Sequence, residues 1–258
     1  MKRNKVLILI TRLNNGGAAK HAIILSSKLN DYGFESVLLT GHTESNEDEI
    51  SWYAKNYNVA PVFIKHLTRS LNPLFDLSAF ISVYSLIKKH KPDIIHTHTS
   101  KAGLIGRTAA IIYSLIHRNE IKIVHTFHGH IFHSYFSGLK TSIFIFLEKL
   151  LANKTDSIIS ISKKLKDDII DKLKIKNDDK VAVIPLGVDY SLAEDYKSGQ
   201  ASSDILKIGM LGRIAPIKNY SLAVEIARKL KSEKIPAKIF IAGGGSSTDY
   251  KNFSNFNS

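Results

Sequence analysis

All eleven histidines of this 258-residue chain fall between His21 and His133, so imidazole chemistry can be assembled only in its first half. Two runs concentrate them: His96-Thr97-His98-Thr99-Ser100-Lys101-Ala102-Gly103 and His125-Thr126-Phe127-His128-Gly129-His130. Apolar residues precede each run, as in a buried strand whose far end carries polar side chains. His-x-His on a strand puts both rings on one face, where they can bond a ligand, move a proton or ligate a metal as in a hydrolase. Carboxylates that would complete a divalent site are scarce: Asp93 precedes the strand and is expected to face away. No metal is therefore expected. His128 is the first candidate for the chemistry, followed by His21 and His98.

Two further segments suit phosphate. Asn14-Asn15-Gly16-Gly17-Ala18-Ala19-Lys20-His21 joins an apolar run to a helical pattern. Paired glycines allow close backbone approach, and a helix start offers free N–H groups, although a purely structural turn has the same residues. Gly-x-Gly-x-x-Gly is absent, and Leu39-Thr40-Gly41 lacks the acid that would hold a ribose, so NAD is not expected. In Gly209-Met210-Leu211-Gly212-Arg213-Ile214-Ala215-Pro216-Ile217-Lys218-Asn219, Arg213 ends a strand and Lys218 precedes a helix. Both cations can converge on a diphosphate whose charge grows as it leaves; both are also ordinary surface residues.

The elements that position these residues alternate strand and helix, the pattern of a parallel sheet wrapped by helices. Strands are predicted at 6–11, 34–40, 61–66, 93–98, 121–127, 156–161 and 180–184. Helices are predicted at 18–30, at 73–90 behind the start signal Asn72-Pro73, at 101–117, at 141–152, and at 163–173 behind a capping Ser162. Residues 1–189 thus form one complete doubly wound domain. A polar stretch, 190–204, reads as a linker. Residues 205–258 hold a single βαβ unit (strand 206–211, helix 220–232, strand 237–242) and a Ser/Asn/Phe-rich tail, a partial second domain. The apolar helix through Ile143-Phe144-Ile145-Phe146-Leu147 either packs on the sheet or rests on a membrane.

Composition narrows the partners. No apolar run reaches the eighteen or so residues of a membrane span, and Val6–Ile10 is too short for a signal-peptide core. With no cysteine, disulfide and thiol chemistry are excluded. The net charge of +13 favours phosphate-bearing or anionic partners. Its lysines are scattered rather than striped and no nucleic-acid module is recognisable, so nucleic acid is not expected.

Taken together, Gly16-Gly17 with His21, His98–Gly103 with Gly106-Arg107, Thr126–His130, Ile184-Pro185-Leu186-Gly187-Val188-Asp189, and Gly212-Arg213 with Lys218-Asn219 resemble glycosyltransferase family 4. The resemblance implies an α/β, GT-B-type fold of Rossmann-like domains and a retaining glycosyltransferase needing no metal or cofactor. It would transfer a hexosyl or N-acetylhexosaminyl unit from a nucleotide sugar, a UDP-sugar foremost, to a glycan or polyprenyl-linked acceptor in surface polysaccharide or glycan biosynthesis. It implies that Gly16 and Gly17 face the donor diphosphate, that Arg213 and Lys218 grip it, and that His128 lies near the transferred sugar. His21, His98, Lys101 and His130 become acceptor-side candidates. A cytoplasmic protein, peripheral on the inner face of an anionic plasma membrane, is implied too. The family's later pair of glutamates is not reached, and its Gly-Asp/Glu-Gly turn reads Gly243-Gly244-Gly245. The expectation is a fragment or truncated product; the alternative reading is an inactive remnant that binds acceptor or membrane only.

Overall fold

The computed structural model describes residues 3–45, 47–129, 138–187 (backbone alone for 138–140), 205–212 and 218–244. His130, Arg213 and the 190–204 stretch lie outside the described residues. The chain divides into two compact units, Met1–Val188 and Asp189–Ser258.

The first unit is built on seven strands: β1 (Asn4–Ile10), β2 (Phe34–Thr40), β3 (Val62–Phe63), β4 (Ile94–His98), β5 (Lys122–Phe127), β6 (Ser157–Ser160) and β7 (Val181–Val183). They lie in the order β3-β2-β1-β4-β5-β6-β7, and every pairing is parallel. Six helices connect them: α1 (Gly17–Asp31), α2 (Ser51–Asn56), α3 (Pro73–His90), α4 (Ser100–His117), α5 (Gly138–Lys154) and α6 (Lys163–Leu173). This is the doubly wound sheet that the strand–helix alternation implied.

Strand alternation distributes the core. Val6, Ile8 and Ile10 point to one face and pack with Ala19, Ala22 and Ile23 of α1 and Tyr53 of α2. Leu7, Leu9 and Ile95 point to the other and pack with Val83 and Ile87 of α3 and Ala109 of α4. Right-handed crossovers carry α5 and α6 onto this second face, over Phe127, Ile158 and Val181. α4 lies close to the sheet: a Cβ on Gly106 would sit 2.7 Å from Leu9 Cδ2 and from Thr97 Cγ2.

Two helix starts follow from their capping residues. Asn72 Oδ1 accepts from the N–H groups of Leu74 (3.1 Å) and Phe75 (3.2 Å) ahead of Pro73, and Ser162 Oγ accepts from Leu165 N–H (3.2 Å). The strand expected at 61–66 shrinks to Val62–Phe63. Ile64 N–H still bonds Thr40 O at 2.7 Å, but Leu67 N–H then bonds Ile64 O and the chain turns away. The helix expected at 141–152 is longer, Gly138–Lys154. α2 and a short 3-10 helix at Asp178–Lys180 were not anticipated. In the second unit β8 (Leu206–Leu211) and β9 (Ala237–Ala242) pair in parallel across α7 (Tyr220–Ser232), as the βαβ reading required.

One interaction ties the helix layer together. Arg107 of α4 and Glu148 of α5 are both buried, with Nη2 donating to the two carboxylate oxygens at 2.8 and 2.7 Å and Nε donating to Gly103 O at 2.9 Å. Removing one partner strands a buried charge. Glu148→Ala is therefore expected to cost about 3–5 kcal/mol in chemical denaturation, and Arg107→Met/Glu148→Leu to recover most of that loss. Equal losses in the single and double variants would show that the pair carries no uncompensated burial cost.

Candidate functional site

Strand order reverses between β1 and β4: β1 leads back to α1 on one face, and β4 leads onward to α4 on the other. In open parallel sheets the crevice outside the carboxyl ends of such strands is the ligand position. Here it is fixed by threonines. Thr11 Oγ1 lies 2.6 Å from Thr99 Oγ1 and accepts from Ala102 N–H at 3.2 Å, joining the end of β1 to the first turn of α4. Thr99 has φ 66° and ψ 157°, a backbone conformation that costs a non-glycine residue about 1–3 kcal/mol and persists only where its surroundings impose it. Gly103 N–H donating to Thr99 O at 2.8 Å completes the restraint.

Four histidines meet beside this bolt. His96 and His98 share one face of β4, with ring centroids 4.3 Å apart. His128, just past β5, places Nε2 2.9 Å from His98 Nδ1. His21, in the second turn of α1, sets its ring edge-on at 5.7 Å from His98 and 5.5 Å from His128. His96 Nε2 lies 2.7 Å from Thr126 Oγ1. His125 is on the opposite face, its Nδ1 2.8 Å from Thr97 Oγ1 and its ring against Phe127. The two histidine-bearing segments therefore divide by strand parity: His96, His98 and His128 face α1, while His125 joins the buried layer of Arg107.

Burial sets the charge of the cluster. Taking an imidazolium out of water lowers His96 to about 3 and His128 to about 4, with neighbouring histidines adding to the effect. His98 is pushed well below its ordinary range by burial and by the same neighbours, and burial also lowers His21. At neutral pH these rings are uncharged, and they act by hydrogen bonding and by shape. His98 Nε2 and His128 Nδ1 are buried with no protein partner among the described residues.

The other candidates are placed as follows. Gly16 precedes α1 in extended conformation, and among the described residues a Cβ built at Gly17 would meet no atom of another segment within 4 Å. Packing among the described residues does not demand glycine there. Lys101 is engaged: its Nζ donates to Ser70 O at 2.5 Å and pairs with Asp76, bracing the starts of α3 and α4. Lys218, in the second unit, is exposed and lies alongside Gly212; a Cβ there would be 3.8 Å from Lys218 Nζ. Asp93 sits at the amino end of the sheet, its Oδ2 accepting from Lys5 N–H at 2.7 Å, away from the histidines. Although the histidines meet, no group of three His, Asp or Glu side chains among the described residues is arranged to hold a metal ion. Sequence reasoning missed Thr11 and Thr126 as site residues; Thr126 could have been flagged because its strand carries a histidine, whereas Thr11 ends a strand that has none.

A doubly wound parallel sheet with its crevice at the β1/β4 reversal is a Rossmann-like unit of the kind that GT-B folds are built from, and the chain is similar in fold to a sucrose-phosphate synthase from Thermosynechococcus elongatus (TM-score 0.67, 14% identity, 99% of this chain and 68% of the other). Residues 15–192 match the profile of Glycosyltransferase Family 4, and the chain belongs to that family. Among curated relatives, it is 32% identical to a UDP-Gal:alpha-D-GlcNAc-diphosphoundecaprenol alpha-1,3-galactosyltransferase of Escherichia coli, over 72% of this chain and 49% of the relative. It is 26% identical to the capsular polysaccharide biosynthesis glycosyltransferase CapM of Staphylococcus aureus, over 73% of this chain and 50% of the relative. The chain spans about half the length of these curated relatives.

The buried histidines generate a pH dependence. A histidine held below its ordinary 6.5 binds its proton later in the folded chain than in the unfolded one. Stability should therefore fall as pH drops from 6.5 toward about 4 for His128 and about 3 for His96. Each histidine contributes up to about 1.4 kcal/mol per pH unit within its window. Urea midpoints measured across this range should fall less steeply in His128→Asn; an unchanged slope would mean that His128 titrates normally.

Proposed function

We propose that the protein transfers a sugar from a UDP-sugar, with retention, to a polyprenyl-linked glycan acceptor in surface polysaccharide assembly. The observation that carries this reading is the convergence of the Gly16-Gly17 helix start with His21, His98 and His128 at the strand reversal. Family membership and the activity named for the Escherichia coli relative support the donor and acceptor classes.

In this reading the N–H groups opening α1 and its positive dipole end face the donor diphosphate, where negative charge develops as the glycosidic bond breaks. Lys218 and Arg213 are assigned cationic roles toward a donor diphosphate by the family resemblance. Neutral His128, oriented through His98, hydrogen-bonds the transferred sugar. His21 faces the acceptor in this reading, His130 is assigned to the acceptor side by the family resemblance alone, and Lys101 acts through its brace on Asp76. Charge stabilisation by fixed N–H groups and cations needs no metal and no cofactor beyond the nucleotide sugar.

Calorimetric titration with UDP, GDP and UDP-sugars tests the donor side. UDP compounds should bind, with affinity falling about tenfold or more in Lys218→Ala and in Arg213→Ala, as for a lost charge-assisted contact. Absence of binding to the folded chain would overturn the assignment of a donor site to these residues. For the reaction, His128→Ala should lower turnover about 100-fold or more with the fold intact; unchanged turnover would remove His128 from the site.

A further inference from the structure

The turn that opens α1 is not held by a cap of its own. Gly16 stands at the N-cap and offers no side-chain acceptor to the first N–H groups of the helix. Residues 13–15 are held instead by the segment after β2. Asn15 N–H donates to Asp48 O at 3.0 Å, Ile50 N–H donates to Leu13 O at 2.9 Å, and Asn14 and Glu49 form an antiparallel bridge. A short antiparallel ribbon thus prolongs β1 beyond the sheet and carries the Gly16-Gly17 turn on its end. Leu13 and Ile50, both buried, anchor the base of the ribbon in the core.

A charged pair ties the ribbon together. Arg12 turns its guanidinium to Glu47, Nε donating to Oε2 and Nη2 donating to Oε1 at 2.7 Å. Two parallel bonds of this kind fix the orientation of both groups, which a lysine ammonium would not do. The side chains are only 16% and 8% exposed, and Arg69, from the segment after β3, lies 3.9 Å from Glu47 Oε1. Burial alone would raise the Glu47 carboxyl, but the hydrogen bond and charge of Arg12, with Glu44 N–H and Arg69 adding to them, hold it below its ordinary range. Both carboxylate oxygens are thus engaged, and Glu47 is not available to a ligand as an acid or base. The segments that follow β1, β2 and β3 all meet at this one side chain.

We infer that Glu47 is a positioning residue for the donor site: through Arg12 and the ribbon it fixes the Gly16-Gly17 turn in place for the donor diphosphate. This role rests on the proposed function, in which that turn faces the diphosphate. Charge by itself predicts the reverse effect. The segment 44–49 carries four carboxylates, Glu44, Glu47, Asp48 and Glu49, alongside a turn assigned to an anion, and each of them disfavours a phosphate. If the charge of Glu47 were all that mattered, neutralising it would strengthen phosphate binding, the more so because Arg12 would be released. A positioning role demands the opposite sign, because ordering a loosened turn then becomes a cost of binding.

The experiment is calorimetric titration of the full 258-residue protein with UDP, beside hydrogen exchange of its backbone amides. In Glu47→Gln, exchange at Asn15 should quicken about tenfold or more while β4 and β5 exchange as before, and UDP affinity should fall about tenfold. Arg12→Lys keeps the charge but loses the two parallel bonds, and it should give the same pair of results. UDP affinity unchanged or raised in Glu47→Gln would overturn the inference while leaving the donor assignment standing. Equal quickening at Asn15 and across β4 and β5 would also overturn it, since Glu47 would then hold the fold as a whole and not the turn. Absence of UDP binding by the unaltered chain would overturn the donor assignment and, with it, this role for Glu47.

Discussion

How closely α4 can lie on the sheet decides much of what surrounds it. A methyl group at Gly106 would intrude on Leu9 and Thr97, and one at Gly103 would lie 2.6 Å from the His125 ring. Only with both positions bare can α4 settle far enough for Ala102 N–H to reach Thr11 and for Thr99 to be held in its positive-φ turn. The same depth places Arg107 under α5, where Glu148 meets it without water. Crevice and helix layer are thus two outcomes of one packing distance.

Around the crevice, burial rather than charge shapes the chemistry. Four imidazoles in mutual contact would repel strongly as cations, but water exclusion keeps them neutral and lets them bond one another. Such a set is well suited to hydroxyl-rich ligands, because neutral ring nitrogens can each donate or accept according to tautomer. Positive charge lies elsewhere, on lysines and arginines scattered along the chain, where phosphate groups rather than hydroxyls are the fitting partners.

Much of the fold could be read from local signals. Asn72-Pro73 and Ser162 announced helices that begin where those caps require, and the alternation of apolar strands with amphipathic helices implied the sheet. Features without a local signature escaped. α2 begins after Ile50 with no capping side chain, and the third strand ends early because Leu67 closes a turn onto Ile64. The histidines of the site were visible because strand ends carried them, and spacing alone set His96 and His98 on one face. The Arg107–Glu148 pair was not visible, since its members are 41 residues apart and periodicity says nothing about partners. The lone glutamate in the apolar α5 was the trace it left in the sequence.

Strand parity in β4 and β5 separates two inheritances. Even-numbered positions (His96, His98, Thr126) face the ligand crevice, and odd-numbered positions (Thr97, His125, Phe127) face the helix layer. Substitution on one face leaves the other's contacts in place, so ligand preference and scaffold can diverge separately among descendants of this fold. Length change is a different matter. A single residue gained or lost inside either strand would exchange the two faces, sending polar rings into the apolar layer. These two strands can thus absorb changed letters but not changed length, and inserted residues fit only in the connections.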